Sequence, residues 1–89
     1  MDARRVARGP LTLRVGGQYG WYRAYCPELG VCGAGVSAQE AKAALFRCAK
    51  HTAKYVVGLN GRGGDDARLP YAEAVIGNLP DIATVFREI

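Results

Sequence analysis

Residues 22–41 read YRAYCPELGVCGAGVSAQEA, and in this stretch two extended segments, a turn and a helix start follow one another. Tyr22, Ala24 and Cys26 alternate with Trp21, Arg23 and Tyr25, an aromatic-rich period of two that predicts a strand. Pro27 lacks a backbone donor and ends ladder pairing, Glu28 to Gly30 turns, and Val31 to Val36 predicts a short third strand. Ser37-Ala38-Gln39-Glu40 has the capping-box form. The Ser37 hydroxyl takes a free N–H of the first turn while Glu40 reaches back, so a helix starts at Ala38.

Working outward, Leu11, Leu13 and Val15 alternate with Thr12 and Arg14, a half-buried first strand, and Gly16-Gly17-Gln18 reads as the hairpin loop after it. Beyond Ala38, the residues Ala41, Ala44, Leu45, Cys48, Thr52, Tyr55 and Val56 recur at helical spacing and predict the buried stripe. Gln39, Lys42, Arg47, Lys50 and Lys54 lie mostly away from it. Gly58 and Asn60-Gly61 are stop signals. A helix of about 20 residues is about 30 Å long and a six-residue strand about 20 Å, so the last helical turns overhang the sheet unless another segment covers them.

Arg62 to Arg68 is a polar loop. Tyr71 to Ile76 reads as a fourth strand, although Ala and Glu suit a helix equally well, and Pro80 opens a short amphipathic helix carrying Ile82, Val85, Phe86 and Ile89. The expected fold is α+β: a three- to four-stranded, mainly antiparallel sheet with one long helix on one face, in the order β-β-β-α-β, plus a short C-terminal helix. One domain accounts for the chain, with a basic arm at 1–9, a core at 10–58, a loop at 59–70 and a strand or helix extension at 71–89.

The 89 residues, 49% hydrophobic and 22% charged, exclude wholesale disorder but bury only a modest core, so self-association into a dimer or tetramer is expected. No apolar run reaches membrane-spanning length, and the basic start is not followed by a signal-peptide core; a cytoplasmic location is expected. The net charge of +4 is uneven: five arginines against one acid in 1–23, four bases against two acids in 24–60, three against five beyond. Arg4, Arg5 and Arg8 form a solvated arm or touch phosphate.

Cys26, Cys32, Cys48 and His51 are zinc-type ligands, but five residues separate the first two where zinc knuckles have two to four. Cys48 is expected in the apolar helical stripe, where a thiol packs as a small hydrophobe. Packed, reduced thiols are the simpler reading, and no metal or cofactor is expected. His51 as a base for Cys48 would share one helix with it and have no oxyanion loop beside it. Glu28, Glu40, Asp65 and Asp66 do not converge, and Gly33-Ala34-Gly35 lacks the third glycine of a dinucleotide fingerprint.

One helix covers one sheet face. The other would carry Trp21, Arg23, Tyr25, Thr12 and Arg14, residue types enriched at binding hot spots. Either Arg14, Trp21, Arg23 and Tyr25 form a partner-binding or oligomer surface, or the C-terminal helix folds across them.

Taken in order, Tyr22, Ala24, Pro27, Glu28, Leu29, Cys32, Gly35, Ser37, Glu40 and Ala41 resemble the HicB-like antitoxin domain over roughly residues 10–58. The resemblance implies a partial ribonuclease-H-like fold without catalytic carboxylates and a non-enzymatic role: binding and neutralising a small basic ribonuclease toxin of the HicA type. Leu29-Gly30-Val31-Cys32 stands where the family commonly has Leu-Pro-Gly-Cys. Many members also bind DNA through an appended domain, for which only 13 residues remain beyond Ile76, so DNA binding is not expected. The alternative reading is a small oligomeric RNA-binding or metal-dependent protein that uses Arg14, Arg23 and the aromatics as a stacking platform.

Overall fold

The computed structural model describes residues 10–60, 67–79 and 81–89. The expected arm at 1–9, most of the polar loop and Pro80 lie outside the described residues. Three strands come first: β1 (Leu11–Gln18), β2 (Trp21–Cys26) and β3 (Val31–Gly35). A long helix α1 (Ala38–Asn60) and a short helix α2 (Leu69–Ile76) follow, then a 3-10 turn (Ile82–Val85) and β4 (Phe86–Glu88). The sheet order is β3-β2-β1-β4. β1 and β3 flank β2 antiparallel, while β4 runs parallel to β1. The expected α+β class and β-β-β-α-β order hold.

The hairpin between β1 and β2 is tighter than Gly16-Gly17-Gln18 suggested. β1 continues to Gln18, which pairs with Trp21, and the turn is Tyr19-Gly20. Both have positive φ, 53° and 78°, as a two-residue turn matched to strand twist requires. Gly20 adopts this freely, whereas a non-glycine residue held there gives up about 1–2 kcal/mol. The two strand glycines sit inside the ladder opposite Arg23 and Tyr22, where paired backbone outweighs their turn preference.

α1 starts as the capping box implies. The Glu40 N–H donates to Ser37 Oγ at 3.1 Å, and Glu40 Oε1 accepts from the Val36 N–H at 3.3 Å. The helix then runs through Gly58. It lies directly on β3, because Gly33 has no Cβ: one built there would sit 2.6 Å from the Ala41 carbonyl oxygen. At this close approach small residues face the sheet. The buried stripe is therefore Ala41, Leu45, Ala49, Ala53 and Val56, all fully buried, while Cys48 is exposed and Tyr55 is 63% exposed. The stripe expected from helical spacing shares Ala41, Leu45 and Val56 with the one that packs, but its Cys48 and Tyr55 side is turned outward.

The C-terminal third exchanges the expected order of strand and helix. Tyr71 to Ile76 is helical, with a proline in the first turn and Ala72 and Val75 buried. α2 packs on α1 and covers the turns that would otherwise overhang the sheet. The segment expected as a helix after Pro80 makes only the 3-10 turn before Phe86 extends (φ −105°, ψ 139°) into β4. The reason is non-local: β2 pairs with β1 only from Arg14 onward, and Leu11–Leu13 takes Phe86–Glu88 on its other edge. Phe86 stacks at a tilt on Phe46 with centroids 5.2 Å apart, joining Leu11, Leu13, Ile82 and Val85 in one core.

Candidate functional site: the open sheet face

Register decides what the open face carries. Arg14 opposes Tyr25, Gly16 opposes Arg23 and Gln18 opposes Trp21 across β1 and β2. Cys32 and Ala34 of β3 lie beside Tyr25 and Arg23, and Arg87 of β4 lies beside Thr12. Period two places these on one side and Leu11, Leu13, Tyr22, Ala24, Cys26 and Val31 on the other, under α1. Trp21 is 59% exposed and Tyr25 47%, and Arg14, Arg23, Cys32 and Arg87 are exposed as well. The alternative, a C-terminal segment folded across this face, does not occur: Ile82, Val85 and Phe86 are buried in the core beneath the helices.

The four expected interface residues Arg14, Trp21, Arg23 and Tyr25 line one groove of about 700 Å³. Its walls also include residues that sequence reasoning passed over: Gly16, Gln18 and Tyr19. Nothing lies within 4 Å of a Cβ built on Gly16, so the missing side chain leaves a recess between the arginines and aromatics. Tyr19 is at the hairpin tip because the turn starts three residues later than the expected Gly16-Gly17-Gln18 loop. The glycine pair and following tyrosine were the available signal.

No strand position on this face carries a carboxylate or a histidine. Thr12, expected there in the open, is nearly buried because Glu28 folds over it. The Thr12 N–H donates to Glu28 Oε1 at 2.8 Å and its hydroxyl to Oε2 at 2.7 Å. Where Pro27 stops β2, the Glu28 carboxylate thus replaces the missing strand partner of β1. Burial works to raise the Glu28 pKa, but the Thr12 N–H and hydroxyl lead the hydrogen bonds that hold it below the ordinary 4.5. The groove is left aromatic and cationic.

The candidate zinc ligands do not come together. Cys26 and Cys32 emerge on opposite sheet faces, and Cys48 and His51 are exposed on α1. Among the described residues no three His, Cys, Asp or Glu side chains cluster around a possible ion. Burial pushes the Cys26 thiol up to about 11, and its 3.5 Å hydrogen bond to Glu28 acts in the same direction. Burial therefore favours the protonated, unreactive form of this core thiol at neutral pH. Of the remaining motif residues, Ala24, Leu29 and Ala41 are buried, Tyr22 packs on the core, and Gly35 abuts Glu40 and Ala41 of α1.

Among the described residues no helix is long and apolar enough to cross a membrane. Comparison with family models, with curated proteins and with solved structures returned no match. The functional reading therefore stands on the geometry of the face and on the residue pattern.

Proposed function

We propose that this chain is a non-enzymatic, HicB-like interaction module of the cytoplasm that docks its partner on the open sheet face, the partner being a small ribonuclease toxin. The observation that carries the docking surface is the face itself: Trp21 and Tyr25 stand exposed beside Arg14 and Arg23 on central strands, with no side chain among the described residues closing over them. Trp, Tyr and Arg are enriched among the few residues that carry most of the binding energy at protein interfaces. The HicB-like pattern in residues 22–41 supplies the kind of partner and, with it, the non-enzymatic role.

The cationic face sets a condition on that partner. Like charges brought together cost several kcal/mol, so a basic toxin meets this surface with an acidic or apolar patch. Self-association is part of the same reading, and β3, an edge strand without charge or proline, is the natural seam.

The test is co-expression with the toxin-like reading frame beside the gene. The wild-type chain is expected to copurify with its product, suppress RNA cleavage and restore growth. Trp21→Ala and Arg23→Ala are each expected to weaken the complex about 30-fold, roughly the 2 kcal/mol of a hot spot. Undiminished binding by both variants, or no complex at all, sinks the proposal.

A further inference from the structure

We infer that the groove on the open face binds single-stranded RNA. The inference rests on the reading that this face is the binding surface, and it names a different occupant for the groove.

Trp21, Arg23 and Tyr25 project from alternate positions of β2, about 6.6 Å apart along the strand, with a guanidinium between two rings. Planar groups repeated at that interval suit successive unstacked bases, each of which has a π-face whatever its identity. Directly opposite Arg23, Gly16 leaves the recess that a base or ribose needs. Arg14, Arg23 and Arg87 lie on this face, and the Glu28 carboxylate is engaged by Thr12 at the end of the sheet, outside the groove, whose described lining carries arginines and no acid. A phosphate backbone matches that charge, and an acidic peptide would match it too, but it has no flat faces for the rings. The Gln18 amide on the groove wall can both donate to and accept from a ribose 2′-hydroxyl, the group that separates RNA from DNA.

Tyr19 adds a further ring. It lines the same groove and is 95% exposed at the hairpin tip, where the turn holds it in a left-handed conformation (φ 53°) that glycine or asparagine would adopt more easily. The exposed ring is open to stacking on a base.

The protein carries its own reporter, since Trp21 is the single tryptophan. Titration with a short oligouridylate at low salt is expected to quench its fluorescence, with binding that weakens as salt rises. Tyr25→Ala is expected to lower affinity about tenfold, and Gly16→Leu to abolish binding while leaving the circular dichroism spectrum intact. Tyr19→Gly is expected to unfold at a higher temperature yet bind more weakly, a pairing that a purely structural role would not give. The matching oligodeoxyuridylate is expected to bind more weakly, with the difference removed by Gln18→Ala.

Absence of quenching by oligouridylate overturns the inference. Equal binding of the two oligonucleotides overturns the assignment to RNA, and binding of polyglutamate that Gly16→Leu abolishes transfers the groove to an acidic protein partner. The toxin copurification is scored separately. A captured toxin with no RNA bound removes this inference alone, and RNA bound with no toxin captured removes the toxin reading alone.

Discussion

At the scale of single residues, Glu28 does the work of a missing strand. Because its folded pKa lies below its unfolded value, the unfolded chain binds the proton more tightly, and the stabilisation is fully present above about pH 4.5 and lost as pH falls through the folded value. Urea titrations from neutral pH to about pH 3 should show this decline. Glu28→Gln should flatten that part of the profile and lower stability at neutral pH by about 1–3 kcal/mol. The cysteines divide as sharply. Cys32 and Cys48 are exposed, and Cys26 is buried with its thiol pushed up to about 11. Mass spectrometry after brief alkylation of the folded protein is expected to show two modified thiols, and the third only after unfolding. These environments were partly legible. The alternation put Cys26 inward, but nothing local to Pro27-Glu28 revealed Thr12 as its partner, sixteen residues earlier.

At the scale of elements, the segments from Leu11 to the helix start were readable because their signals are local: alternation, a proline stop and a capping box. The phase of α1 was not, because it depends on what the helix meets. Gly33 lets the helix backbone reach the sheet, and alanines then face inward in place of Cys48 and Tyr55. Gly33→Val drives a side chain into the backbone around Ala41 and Ala44 and is expected to cost about 1–3 kcal/mol or prevent folding. Ala34→Val, one position along on the exposed face, is expected to stay within about 0.5 kcal/mol. Thermal or chemical denaturation of the pair checks both. Equal effects would show that the helix does not sit where the glycine permits it.

At the scale of the molecule, the last twenty residues belong to the core. Ala72, Val75, Ile82, Val85 and Phe86 are all buried, so the pattern in residues 10–58 describes a sheet and helix that are incomplete without them. Phe86→Ala removes both the ring against Phe46 and the filling beneath β4, and should cost about 3–5 kcal/mol, a large part of the stability of a domain this size. A midpoint shift in urea measures it. The strand at Phe86 escaped sequence reading because Ile82, Val85, Phe86 and Ile89 fit helical spacing equally well. What selects extension is the free edge of β1, contributed from the opposite end of the sequence.

That parallel pairing also sets a clock. Leu11 meets Phe86 across 75 positions (86 − 11), and a ribosome adding about 5–20 residues per second needs roughly 4–15 s to make the second after the first. Throughout that interval the outer edge of β1, with Leu11 and Leu13 on it, has no strand to close it, and an unpaired apolar edge recruits other chains. The nascent protein is therefore most exposed to misassociation just before its final strand emerges, when a chaperone or a neighbouring copy has its best access to that edge.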